Sequence, residues 1–227
     1  MNAKLMKNLF LALVSIVFLS SCFEILEEVD LNTDGSGTLS YTLNLSQSKT
    51  RIKSALLLDS VNGFKIPDEQ QIRDKIEEAV SVLKKAEGLS GVKVVQDYED
   101  YIFTFKCDFT NVDALNNATK YLNDNYRVNN ADFTAKNHFS FDSDSNTFKR
   151  KGDYGSKANS EEIDSEYLSA LNSAKFTSIY RFNQEVESVS NSDAKISPNK
   201  KAVMLKYKAM EVATGKKSIE NTIQLKK

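Results

Sequence analysis

Residues 25 to 45 read ILEEVDLNTDGSGTLSYTLNL, and their periodicity decides the fold class. Leu39, Tyr41, Leu43 and Leu45 alternate with Ser40, Thr42 and Asn44, the period-2 pattern of a strand with one face buried. Ile25, Val29 and Leu31 share one face of the preceding segment, and Glu27 interrupts that face. Between the two runs, Asn32 to Gly37 supply an Asp-Gly turn. Two half-buried strands joined by such a turn predict a β-hairpin.

Downstream, the pattern changes period. Ser48 to Ser60 places Ile52, Ala55 and Leu56 on one helical face. After Pro67, Asp68 and Glu69, the spacing of Ile72, Ile76, Val80 and Leu83 predicts an amphipathic helix, with Gly88 positioned to end it. A second hairpin is expected from Val92 to Phe109, turning near Glu99 and Asp100. A helix should follow from Val112 to Asn125, with Leu115, Ala118 and Leu122 inward and a capping-box-like start at Thr110 and Asp113.

The order then recurs. Phe139 and Phe141 alternate, Asp142 to Asn146 turn, Phe148 begins the return strand, and a helix is expected from Ser160 to Ala174 with Asn159 as its cap. Phe176, Ser178, Tyr180 and Phe182 alternate, as do Val203, Leu205 and Tyr207, and Ile219, Ile223 and Leu225. Hairpins interrupted by helices indicate an α+β fold, an antiparallel sheet with helices packed on one face. Residues 151–160 and 190–200 are the places where residues 22–227 would subdivide.

The composition is that of a globular chain: 227 residues, 27% charged and 41% hydrophobic, with 30 Lys+Arg against 31 Asp+Glu. No basic excess exists to draw it to a phosphate backbone, so nucleic acid is not an expected partner.

Candidate chemistry is sparse. Asp30, Asn32, Asp34 and Gly35 match the first half of a calcium loop, but its twelfth position is Tyr41, where a bidentate Glu is required. A hairpin turn is the expected reading. Asp142, Asp144 and Asn146 lack the glycine and read as a polar turn. His138, the only histidine, lies opposite Phe139 and Phe141 and is expected to face solvent. It has no nucleophile elbow to serve. Cys107 shares a strand face with Tyr101, Phe103, Phe105 and Phe109, so it is expected to be a buried, inert thiol. The adjacent pairs Glu77/Glu78 and Glu161/Glu162 diverge on helix surfaces. With eight glycines no phosphate cradle is present. No catalytic, cofactor or metal set is therefore expected.

The N-terminus is more informative. Lys4 and Lys7 precede the apolar run Leu9 to Leu19, and Ser20, Ser21 and Cys22 follow. As a helix that run spans about 16 Å, too short for a hydrocarbon core of about 30 Å. It reads as a signal peptide over residues 1–21. Leu19-Ser20-Ser21-Cys22 resembles the lipobox of bacterial lipoproteins. The resemblance implies that Cys22 receives diacylglycerol and becomes the mature N-terminus, anchored to a membrane without spanning it.

Loss of Lys4 and Lys7 takes the net charge from −1 to −3. Cys107 is then the only free thiol, so packing must supply stability without an internal disulfide. By analogy with enterobacterial sorting, Phe23 after the cysteine implies the outer membrane. Glu24, Glu27 and Glu28 loosely resemble the acidic residues near the anchor of surface-exported lipoproteins in the Bacteroidetes, and equally suit a solvated face. Cys22 followed by Val29-Asp30-Leu31 and Asp34-Gly35-Ser36-Gly37 resembles the opening of LppM-type lipoproteins. The expectation is a lipid-anchored cell-envelope binding or structural module, not an enzyme, with an envelope protein or lipid as partner. The alternatives are an envelope-polymer hydrolase using carboxylates and a lipid carrier.

Overall fold

The computed structural model describes residues 23–58, 60–61, 64–118, 138–152 and 173–227. In chain order its strands are β1 (Glu24–Leu31), β2 (Gly37–Asn44), β3 (Ser60–Val61), β4 (Phe64–Lys65), β5 (Leu89–Asp97), β6 (Ile102–Phe109) and β7 (Phe139–Asp142). Then follow β8 (Thr147–Arg150), β9 (Lys175–Phe182), β10 (Val186–Val189), β11 (Lys195–Ile196), β12 (Ala202–Lys208) and β13 (Asn221–Leu225). Among the described residues the helices of this α+β fold are α1 (Lys49–Leu56), α2 (Glu69–Leu83), α3 (residues 112–118) and α4 (Ala209–Ala213).

A seven-stranded sheet runs β11-β12-β9-β1-β2-β6-β5, a four-stranded sheet runs β10-β13-β8-β7, and β3 pairs with β4 alone. The β1–β2 hairpin is in register from Glu24↔Asn44 to Leu31↔Gly37. Its close requires glycine, because a Cβ on Gly37 would stand 2.1 Å from the Asp30 carbonyl oxygen. β5 and β6 form the second expected hairpin. The hairpin-built, antiparallel arrangement holds throughout the described sheets except for one parallel joint at the centre. β1 pairs in parallel with β9, from Glu24↔Lys175 to Leu31↔Phe182. A parallel neighbour needs a long crossover, and no local pattern announces one. The large sheet draws strands from both sides of residues 151–160 and 190–200.

The helices expected on one face are there, and they share that face with a second sheet. The inward face of the large sheet (Val29, Leu31, Leu39, Cys107, Phe109, Tyr180, Phe182, Val203) packs in one core with two kinds of cover. One is the four-stranded sheet, through Phe139, Phe148, Ile223 and Leu225; the other is helical, through Leu83, Val112, Leu115 and Ala118. Phe148 is the hub of the sheet-on-sheet layer. Its ring centroid lies 5.3 Å from Tyr180, 5.7 Å from Phe182 and 6.0 Å from Phe139, within the range of favourable aromatic pairing. Ile219, expected in the last strand, precedes it and is buried with Leu205 and Tyr207.

Helix α2 begins with a capping box in which Asp68 accepts from the Gln71 N–H at 2.8 Å and Gln71 returns a bond to the Asp68 backbone. It ends at Leu83, five residues before Gly88. Gly88, at φ +79°, serves instead the turn into β5. α3 is capped by Asn111, whose Oδ1 accepts from Ala114 N–H at 3.0 Å, not by Thr110. Residues 119–125 of that expected helix lie outside the described residues, as does most of the one expected over Ser160 to Ala174. Inside α3, buried Asn116 donates to the Phe139 carbonyl at 2.8 Å and accepts from its N–H at 3.1 Å. That pair seals the start of edge strand β7.

Candidate functional site

The alternation that buries Val29 and Leu31 also turns Glu27 inward, and Glu27 is fully buried. It is not part of a solvated acidic face. Arg150, equally buried at the end of β8, donates Nε to Oε1 at 2.9 Å and Nη2 to Oε2 at 2.8 Å. Tyr180 donates to Oε1 at 2.6 Å and Tyr41 to Oε2 at 2.5 Å. Burial alone would push the Glu27 carboxyl up. The Arg150 charge and the bonds from Arg150, Tyr180 and Tyr41 outweigh it and hold the carboxyl below its ordinary value. Burial, and then the Glu27 charge, push the Tyr180 phenol well up. Every oxygen of Glu27 is occupied by a donor, so this cluster joins the two sheets and has no proton to offer a substrate.

Two polar atoms flank the cluster without a hydrogen-bond partner. They are Ser178 Oγ, on the residue paired with Glu27 across β1 and β9, and Asn221 Nδ2, on the residue paired with Arg150 across β8 and β13.

His138 stands beside this cluster and not in open solvent. It is half-buried, and its carbonyl accepts from Lys151 N–H at 2.9 Å and from Arg150 Nη1 at 3.4 Å. Burial, then the Arg150 charge, hold its imidazole below the ordinary value. Cys107 is buried, 3% exposed, and burial followed by the Asp108 charge pushes its thiol up to about 12.

Asp34 closes the β1–β2 turn, accepting from Ser36 N–H at 3.0 Å and Ser36 O–H at 2.6 Å, with Gly35 at φ +83°. Asp142 does the same for Asp144 and Ser145 in the β7–β8 turn. Asp30, the first residue of the calcium-like pattern, points the other way and accepts from Arg181 at 3.2 Å. Glu77 and Glu78 are exposed on α2. Cys22, Glu161 and Glu162 lie outside the described residues.

The outward face of the large sheet carries a shallow cleft of about 390 Å³. Glu28 and Asp30 line it at one side, held together by Arg181 at 2.8 and 3.2 Å. Lys93 and Lys106 sit directly opposite each other across β5 and β6 on the other side, with Asp108 beside them. The bulge at Gly91, φ +59°, brings the backbone so close that a Cβ there would lie 2.6 Å from Asp108 Oδ2. Thr38 and Ser40 add hydroxyls between the charges. The cleft can hold a polar or charged group by hydrogen bonds. Three of its carboxylates and three of its cations balance, so it selects neither sign.

A third feature lies at one end of the large sheet. β1 starts there at Glu24, paired on one side with Asn44 and on the other with Lys175. Asp97 and Ile102, the paired ends of β5 and β6, are at the same end, because Ile102 pairs with Asn44. α1 follows immediately, and its Lys49 binds Asp100 of the β5–β6 turn at 2.8 Å. No described helix is long and apolar enough to cross a membrane.

No protein-family model matches this chain, and no curated protein matches it. Among solved structures, the folded domain of LppM from Mycobacterium tuberculosis, determined by NMR, is similar in fold. The TM-score is 0.44 and the identity 13%, covering 90% of this chain and 89% of that one. A likeness of that degree bears on neither site nor activity.

Proposed function

We propose that this chain is a cell-envelope lipoprotein, tethered through Cys22 to the outer membrane, that works there as a binding or structural module. The observation that supports the reading most is where the first described strand begins. β1, the fourth of seven strands, starts at Glu24. The α carbons of Cys22 and Glu24 can be at most about 7 Å apart. An acyl group on Cys22 would therefore hold the end of the sheet against the membrane with no linker. A catalytic role has less support. Glu27 is sealed in the core, the lone described thiol is buried, and the lone imidazole is half-buried.

Complementation of a deletion strain tests this proposal. Exchange of residues 1–22 for a signal that releases the protein unanchored should abolish function. Single substitutions Glu28→Gln, Asp108→Asn and His138→Ala should leave it. Loss of function in one of those three, with fold and anchor intact, would favour the hydrolase reading instead.

A further inference from the structure

We propose that the end of the large sheet from which β1 starts is a bilayer-contacting surface, with Leu57 and Leu58 at the tip of α1 inserted at the headgroup–acyl boundary. This rests on the anchored reading above and adds the face that meets the lipid. Leu57 is 87% exposed and Leu58 52%, the two most exposed leucines among the described residues and an adjacent pair, whereas the other exposed large apolar side chains, Leu43, Val95 and Ile196, stand singly on strands. Helix α1 has no buried residue at all. An eight-residue helix is marginal in water and takes its stability from a covered face. In α1 that face is only half-buried, through Ile52, Ala55 and Leu56, and Leu57 and Leu58 carry its apolar run out into solvent.

The occupant follows from position. Asn44, where β2 ends, pairs with Glu24, and α1 begins five residues later. The segment that carries the leucine tip is held to this end on both sides, by Leu45 N–H donating to the Tyr101 carbonyl at 3.0 Å before α1 and by Arg73 of α2 stacking 3.8 Å over the Tyr98 ring after it, and the chain toward Cys22 leaves from the same end. Charge is not the driving term. The three cations of α1, Lys49, Arg51 and Lys53, are matched in number by Asp97, Glu99 and Asp100 at the adjoining end of the β5–β6 hairpin, whose charges act on Lys49. The contact is apolar, of the kind made by interfacial leucines beside a second membrane signal. It should therefore form on zwitterionic lipid.

The test uses the acylated full mature protein in phosphatidylcholine vesicles. Cys107 is buried, so a Leu57→Cys variant offers one reactive thiol for an environment-sensitive fluorophore. Thr33→Cys, in the turn at the far end of β1 and about 23 Å along the strand, is the control. The expected result is at least about twofold greater quenching by doxyl-labelled lipid at position 57 than at 33. Protein that floats with vesicles while position 57 stays unquenched overturns the contact and leaves the anchor standing. A blue shift at 57 without lipid quenching, or one that grows with protein concentration, assigns the tip to a protein partner or a second copy and equally overturns it. Protein that fails to float removes the anchored reading and this contact together.

Discussion

Arg150 and Glu27, 123 residues apart in sequence, form a fully buried two-point ion pair that ties the four-stranded sheet to the centre of the seven-stranded one. Charge buried this deeply stabilises the native arrangement only while both partners are present. Glu27→Ala should therefore cost about 3–5 kcal/mol in urea unfolding, because Arg150 is left buried without its counter-charge. The double variant Glu27→Leu with Arg150→Met should be less destabilised than either single change. Losses that simply add would show that the pair is not coupled.

The same pair makes the fold sensitive to acid. Glu27 has a folded pKa below its ordinary 4.5, so the unfolded chain binds more protons at low pH. Its contribution is fully present above about pH 4.5 and is lost as pH falls through the lower folded value. His138, also lowered from 6.5, has the same sign and begins to act at higher pH. Urea midpoints should fall from neutral pH toward pH 4, with the upper part of the decline removed in His138→Gln. A midpoint that rises on acidification would contradict both assignments.

Ser178 offers a smaller, opposite effect. Its hydroxyl is buried and is turned toward Tyr180 without a well-formed hydrogen bond, so Ser178→Ala removes a desolvation cost and should raise stability by at most about 1 kcal/mol. A loss of stability in thermal or urea unfolding would mean that the hydroxyl is satisfied in solution.

Cys107 should resist maleimide in the native protein and react readily in denaturant. Its thiol is pushed up to about 12 and is enclosed by core side chains. Rapid native labelling would place it at an accessible surface and reopen a redox role.

These residues also mark how far the sequence could be read. Cys107 was legible because burial in a strand follows a strict period of two, and four aromatic neighbours fixed its face. The Asp34 turn and the Asp68-to-Leu83 helix were legible for similarly local reasons, through Asp-Gly chemistry and a cap followed by helical spacing. Glu27 stood in the same period-2 pattern, yet as a charge it read as an interruption. Only its position between Ile25 and Val29 signalled that it faces inward, and its partner Arg150 carries no local signal at all. The β1–β9 pairing was hidden for the same reason: register across 151 residues is set by tertiary packing. His138 followed the alternation away from Phe139 but is half-covered beside Arg150. The outward cleft depends on cross-strand neighbours from β1, β2, β5, β6 and β9, which periodicity alone cannot juxtapose.

The most direct measurement is the intact mass and N-terminal fragment spectrum of the mature protein taken from the cell envelope. The expected result is a chain that lacks residues 1–21 and begins at Cys22, with the mass of diacylglycerol on its sulfur. An unmodified N-terminus at any other residue would contradict the lipid anchor and the membrane-facing orientation that follows from it.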